Sequence, residues 1–549
     1  MHKEKMNSVG VLVKGTVILS VAAFLTKVLS AVYRVPFQNI VGDIGFYIYQ
    51  QIYPFYGIAV SFAIYGFPVI ISKLYAEQTD PSDEEEKQTI FFSSLLAVGM
   101  ICLIIFFLLY AGSETFASFM GDERLQPLIR AVSFSYLTVP VIAVVRGYFQ
   151  GTGIMQPTAI SQVTEQLIRV VLILFLSVLL VSHHYSLYDV GAAAILSSVT
   201  GSLCGMLLLL FLFIKQRKSK IRPCTLFRID RTVMKIAGIE GLAICISSLS
   251  LLLFQLCDSF QILSLLIKNG MTVTAAQVVK GIYDRGQPLL QIGMIIATSL
   301  SLSVVPMIAG MKQRNGEIKN YVRIAFQISF AIGTAAATGL ILIMNPLNEM
   351  LFENDSGSNI LRVYVLSIIL ASLSTTAISI LQGFGKIYFS TFAVLAGVLA
   401  KVTFNQILVG SMGITGAAVA TNAALAVMAV LLLGRLHRML KFPLLTKHFS
   451  FVLLKSLAVM TVAVLGVLWV GDRAETVFSS ARILSSIQAV TAACAGGIIF
   501  SIILIRGNVL SRKELVLLPF GKKLLFLLNG KGGRRSGENN SRRTRSGGT

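Results

Sequence analysis

Apolar stretches of about 20 residues recur from one end of this sequence to the other, and that recurrence limits the fold more than any other feature. Phe91 to Ala111, Val170 to Val181 and Met206 to Ile214 are apolar all round, where a helix on a soluble protein would carry a polar face. In hydrocarbon each backbone N–H and C=O must be satisfied within its own segment, which makes these stretches helices. Hydropathy windows place them near 11–34, 47–73, 90–112, 126–148, 157–181, 189–214, 234–262, 287–310, 320–344, 360–381, 387–410, 413–435, 448–470 and 483–505. The expected fold is an all-α integral membrane protein of about 14 transmembrane helices. Only 13% of the residues are charged, against about 25% in a soluble domain, and no polar segment is long enough to form one. Met1 to Ser20 lacks a small-residue cleavage site and its apolar run continues through Lys27, so it reads as a retained first helix.

The formal net charge of +22 would suggest nucleic acid if it covered a soluble surface. Here it is concentrated in alternate loops and in the tail, the pattern that orients helices in a membrane, and nucleic acid is not an expected partner. Lys215, Arg217, Lys218, Lys220, Arg222, Arg228 and Arg231 crowd one connection, and Lys312, Arg314, Lys319 and Arg323 another. Both loops are expected in the cytoplasm, and the same parity puts both termini there and Glu114, Asp122, Glu349 and Asp355 outside. The basic tail, with Arg534, Arg535, Arg542, Arg543 and Arg545 among Gly and Ser, suits attraction to anionic lipid.

Three short anchors recur in order. Gly66-Phe67-Pro68 answers to Val304-Val305-Pro306, Gln150-Gly151 with Gly153 to Gln382-Gly383 with Gly385, and Gly191-Ala192-Ala193 to Gly416-Ala417-Ala418. All are shifted by six helices. An even shift gives both copies the same orientation, so the halves are expected to be related by an axis along the membrane normal. The expected organisation is a first lobe over 1–218, a second over 219–440, two added helices over 441–506 and a basic cytoplasmic tail over 507–549.

Charges inside a membrane cost about 2.5–3.5 kcal/mol each on insertion scales and mark function. The candidates are Lys27, Glu165 and Arg169, Glu240 and Asp258, Lys401, and Lys455. Glu165 and Arg169 are four apart on one helix face, which fits either a self-neutralising pair or the lining of a cavity. Lys27 has no partner on its own helix, and the repeat sets Asp258 opposite it, so a Lys27–Asp258 contact is expected. Arg34 is placed at the outer end of the first helix, snorkelling to the interface, and Lys455 and Glu240 near cytoplasmic ends. Tyr283 to Pro288 reads as a compact polar turn before an apolar helix. Its Arg285, beside Asp284, either caps that helix or binds phosphate in a bidentate manner.

Five histidines and six cysteines have no metal-ligand spacing, and there is no P-loop for ATP. No catalytic constellation, metal site or cofactor is expected. With two lobes, these absences favour a transporter.

The runs Leu25-Thr26-Lys27-Val28-Leu29-Ser30 with Tyr33 and Pro36, Gly66-Phe67-Pro68 to Glu77, Arg146 to Gly151 followed by Pro157 to Gln166, and Tyr283-Asp284-Arg285-Gly286-Gln287-Pro288 resemble one group. It is the polysaccharide-transport branch of the MOP exporter superfamily, which contains the stage V sporulation protein B type and the MurJ-type lipid II flippases. The resemblance spans nearly the whole chain. It implies a V-shaped pair of lobes around a cationic cavity, with the last two helices making a groove for a polyprenyl chain. It also implies that Lys27 and Arg285 meet the pyrophosphate of a lipid-linked sugar and that Asp284 orients Arg285. MurJ-type sequences commonly carry a second arginine where Tyr33 stands here, and Arg34 follows it, turned about 100° around the helix.

The function this implies is alternating-access translocation of an undecaprenyl-pyrophosphate-linked saccharide across the bacterial cytoplasmic membrane. The expected partners are that substrate and membrane lipids. Asp258, Glu165, Arg169 and Arg34 join Lys27, Asp284 and Arg285 as expected cavity residues. Two rival readings are a MATE-type antiporter, which would need cavity carboxylates for Na⁺ or H⁺, and a non-transporting scaffold.

Overall fold

A computed structural model describes residues 18–19, 21–78, 83–216, 229–295, 297–298, 315–473 and 481–507. Among the described residues the chain is helical and contains no strand. Twelve helices there are long and apolar enough to cross a membrane. The basic loop 217–228, the tail beyond Gly507, the anchor Val304 to Pro306 and most of the expected helix 287–310 lie outside the described residues.

The expected first loop does not exist. A helix over 21–32 (α1) runs through Tyr33, whose N–H and C=O bond Leu29 and Phe37 in helical register, into α2 (Arg34–Ser61). The reversal is a single residue, Gly42, at φ +68° and ψ −175°, a backbone state that only glycine adopts without strain. Side-chain pairs then run in opposite directions, Phe37 with Phe46, Tyr33 with Tyr49, Arg34 with Tyr53 and Lys27 with Tyr65, as in an antiparallel hairpin. Arg34 is therefore not at a helix end. It lies eight residues before the reversal, about 12 Å along the helix, and is fully buried.

After α2 come a π turn (Phe62–Gly66) and α3 (Phe67–Ala76). Asp83 caps α4 (Glu84–Ala111), accepting from the N–H groups of Glu85 and Glu86, and three glutamates in the first turn suit the positive helix end. Then follow α5 (Ser113–Phe119), α6 (Gln126–Ser133), α7 (Ser135–Gly151), α8 (Gln156–Ser182) and α9 (Leu187–Gln216). The seventh expected helix is broken: α10 (Arg231–Lys235), a π turn (Ile236–Glu240) and α11 (Gly241–Ser248) precede α12 (Ser250–Lys268). The next begins earlier than expected. Thr272 caps α13 (Val273–Asp284), which continues through Arg285 into α14 (286–295). Arg285 is thus twelve residues inside a helix, about 18 Å from its start, rather than at its mouth. The chain ends in α15 (Asn315–Leu342), α16 (Met344–Phe352), α17 (Ser358–Val365), α18 (Ser367–Gly383), α19 (Ile387–Met412), α20 (Ile414–Leu440), α21 (Lys447–Arg473) and α22 (Ala481–Arg506).

The internal repeat is visible in helix lengths. α6 and α7 contain 8 and 17 residues, as do α17 and α18. α7 and α18 then close in the same way: Gly153 and Gly385 take φ +80° and +75°, and the next N–H returns to Phe149 or Leu381 at 2.8 Å. This is a Schellman-type cap formed twice. α21 and α22 pack on each other and on α15 and α16.

The two halves meet at both ends of the bundle. At one end α2 packs on α12 and α13, and at the other α3 and its π turn pack on α11 and the second π turn. Glycine permits both approaches. A Cβ on Gly281 would stand 2.1 Å from the Asp43 carbonyl oxygen, and one on Gly66 1.8 Å from the Cys245 sulfur.

Candidate functional site

Helices that must pack without water can bury a cation cheaply only by matching it. Four buried cations here are matched by carboxylates. On α7, Arg146 donates from Nη2 to Glu165 Oε2 at 2.9 Å, from Nη1 to the Ala63 carbonyl and from Nε to Ser161. Glu165 is completed by the Ser202 hydroxyl at 3.1 Å. In the second half, Lys401 on α19 stands 2.7 Å from Asp258 on α12 and donates to Thr421 at 2.7 Å and the Ala417 carbonyl at 3.1 Å. All three of its N–H groups are used. Asp258 also accepts from Tyr283 and Asn405, each at 2.9 Å. Lys280 and Asp284 pair at 2.5 Å, one turn apart on α13.

The fourth pair joins the halves. Arg285 donates from Nε and Nη2 to the Asp43 carboxylate at 2.7–2.9 Å, and from Nη1 to Asn354 at 2.8 Å. Close by on the same two helices, Asp122 accepts from Tyr47 of α2 at 3.1 Å and Gln277 of α13 at 3.1 Å, and from Tyr188 at 2.7 Å. These contacts latch one end of the bundle shut.

Three expectations change here. Asp258 is engaged by Lys401 rather than Lys27. Glu165 and Arg169 are both buried but do not pair, because Arg146 takes the carboxylate. Asp284 bonds Lys280 and leaves Arg285 to Asp43, so Arg285 is a clasp between halves and not a free cavity cation. Lys27 is half-buried, its ammonium 5.8 Å from the centre of the Tyr65 ring. Lys455 is exposed on α21, in keeping with a snorkelling role.

Arg34 and Arg169 are different. Both are almost fully buried, at 0% and 2% exposure, and among the described residues no carboxylate oxygen stands within ion-pair distance of either. Arg169, on α8, donates from Nη2 to the hydroxyls of Tyr33 and Tyr49 at 2.9 and 2.8 Å, and from Nε to Ser198 at 3.1 Å. Its guanidinium lies 4.3 Å from the Tyr56 ring centre and 5.6 Å from that of Tyr53. Arg34 lies 4.2 Å over the Tyr53 ring, and Gln291 of α14, with its amide turned so that the oxygen rather than the nitrogen faces the guanidinium, accepts from it at 3.0 and 3.2 Å. Among the described residues its Nε has no acceptor. Two guanidiniums, always charged, thus share one tyrosine ring, and among the described residues the hydrogen-bond acceptors named here are all neutral. Lys27, seven residues before Arg34, lies on the same helix face, about 10 Å away along the axis.

Sequence reasoning missed Arg146, Lys280, Asp43, Gln291 and the tyrosines. Signals existed for three of these. Arg146 lies inside the expected helix 126–148, Lys280 is one turn from Asp284, and Tyr49, Tyr53 and Tyr56 recur at helical spacing. Asp43 and Gln291 gave none, since their partners are remote in sequence.

The model of a family described as polysaccharide biosynthesis protein matches residues 12–312. The chain is 40% identical over 518 residues to the uncharacterized membrane protein YabM of Bacillus subtilis (strain 168), covering 93% of this chain and 95% of that one. It is 26% identical to the lipid II flippase MurJ of the same organism, over 89% and 94% of the two chains. Among solved structures it superposes on lipid II flippase MurJ in an inward closed conformation with a TM-score of 0.63, at 15% identity, over 88% of this chain and 98% of that one.

Proposed function

The chain belongs to the polysaccharide biosynthesis protein family of membrane transporters, and we propose that it is a flippase for an undecaprenyl-pyrophosphate-linked saccharide, working by alternating access. The observation that carries this reading is the contrast among buried cations. Arg146, Lys280, Arg285 and Lys401 each own a carboxylate, whereas Arg34 and Arg169 do not. A membrane protein that retains two uncompensated guanidiniums against their insertion cost is built to receive an anion. A diphosphate offers charge and planar acceptor edges that match guanidinium donors. Lys27, on the same face as Arg34 and, among the described residues, without a carboxylate partner, serves as the approach cation.

In this reading the latch at Asp43–Arg285 and Asp122 is the extracytoplasmic gate, and both termini are cytoplasmic, as the basic loops require. Glu165, Asp258 and Asp284 hold cations in place and do not touch cargo. With the gate shut and the opposite contact between α3 and α11 parted, the cargo enters from the cytoplasmic leaflet. Release follows when the latch parts while the opposite contact, Gly66 against Cys245, which is closed in this structure, stays as the barrier. The polyprenyl chain stays in lipid beside α21, which exposes Leu454, Val462 and Trp469, and α22, which exposes Val490 and Ile498.

Depletion of the protein tests this. A lipid-linked saccharide is expected to accumulate on the cytoplasmic leaflet, and its chemical identification names the cargo. Depleted cells that accumulate no such lipid would refute the flippase reading.

A further inference from the structure

The two uncompensated arginines have filled their donors with substitutes. Arg169 gives Nη2 to two tyrosine hydroxyls that also bond each other at 2.7 Å, and Nε to a serine. Arg34 gives Nη1 and Nη2 to an amide oxygen from the opposite half and leaves Nε bare. Every one of these acceptors is neutral. A neutral acceptor satisfies a guanidinium N–H but leaves its charge uncancelled, and a charged acceptor forms about twice as strong a bond. The tyrosine rings add partial compensation through their negative faces.

We propose that Tyr33 and Tyr49 on the first-half side, and Gln291 on the other, are placeholders: they occupy the donors of Arg169 and Arg34 in the empty closed state and yield them to the oxygens of a diphosphate-type anion. Binding then exchanges the Arg169 bonds to Tyr33 and Tyr49, and the Arg34 bonds to Gln291, for bonds to phosphoryl oxygen. The bare Nε of Arg34 gains an acceptor it lacks when empty. Because Gln291 belongs to the second half, surrendering Arg34 also removes one tie between the halves. The anion thereby loosens the closed state as it binds. This rests on the reading of Arg34 and Arg169 as the cargo's cationic seat, and it makes a prediction of unusual sign.

If the hydroxyls are placeholders, deleting them leaves Arg169 Nη2 unsatisfied in the empty protein. The empty protein is weakened and the anion binds more tightly. If they instead contact the anion directly, deleting them weakens binding. The test uses the full chain in phosphatidylcholine nanodiscs, with the thermal unfolding midpoint followed against inorganic pyrophosphate at constant ionic strength. Tyr33→Phe with Tyr49→Phe is expected to lower the starting midpoint and to tighten the apparent pyrophosphate affinity about tenfold, equivalent to about 1.4 kcal/mol. The single variants should show smaller changes of the same sign, which keeps the test decisive if the double variant does not fold. Arg169→Gln and Arg34→Gln should each abolish the response. Unchanged or weaker pyrophosphate binding in the tyrosine variants would overturn the placeholder role while leaving the arginine seat intact. No response in the wild-type protein would overturn both, with the flippase reading still judged separately by precursor accumulation. A response abolished by adding phosphatidylglycerol to the nanodiscs would reassign the seat to a phospholipid headgroup and also overturn the proposal.

Discussion

Asp43 and Arg285, 242 residues apart in sequence, hold each other through three hydrogen bonds of 2.7–2.9 Å across the junction of the two halves. Asp43→Asn keeps the shape and removes the charge, leaving a fully buried guanidinium without its anion. Removing one partner of a buried pair costs about 3–5 kcal/mol, so the closed state should lose population and transport should fall sharply. Thiol labelling of a cysteine introduced at Ala276, fully buried on α13, should rise in Asp43→Asn relative to the parent. Unchanged labelling would show that the pair does not hold this end shut.

Gly281→Ala attacks the same junction without touching a charge. The added methyl group would stand 2.1 Å from the Asp43 carbonyl oxygen, and backbone cannot move aside as a side chain can. Expression should persist and transport should be lost, with the Ala276 cysteine again accessible. Retained transport at parental labelling would mean that α2 and α13 need not approach this closely.

Lys401 and Asp258 should behave as a neutral unit. Lys401→Met alone leaves a buried carboxylate and is expected to destabilise by about 3–5 kcal/mol, whereas Lys401→Met with Asp258→Asn should recover most of that loss. Unfolding of the purified protein in denaturant reads both. Equal, additive losses would show that the two side chains are not coupled.

Lys27→Ala should do the reverse. With no carboxylate to orphan, stability should change by no more than about 0.5 kcal/mol, while transport falls. Transport assays alongside unfolding separate the two, and Lys27→Arg should restore activity if charge is what matters.

How much of this was legible in the sequence depends on the distance over which each signal acts. Helices were legible because the bilayer imposes their length, and the repeat because Gly153 and Gly385 mark equivalent helix ends. The reversal at Gly42 was missed because hydropathy averages over about 20 residues and one glycine disappears into the window. That error propagated: a loop drawn over 35–46 pushed Arg34 to a surface it never reaches and put Asp43 in solvent. For Glu165 and Arg169, spacing showed that both were buried on one helix face. Their partners were hidden because Arg146, Tyr33 and Tyr49 arrive from other helices. Arg285 stood out in the sequence as a cation, but its partner, Asp43, lies 242 positions away.

Gly42 has a mechanical consequence. It is the lone joint between the helix that carries Lys27 and Arg34 and the helix that begins with Asp43, and nothing lies within 4 Å of where its side chain would be. A force applied at Asp43 therefore meets a backbone swivel before Arg34, and what reaches Arg34 passes through the side-chain pairs Phe37–Phe46 and Tyr33–Tyr49. Those aromatic pairs, rather than the peptide link at Gly42, are then what makes the two arms of the hairpin move as one body.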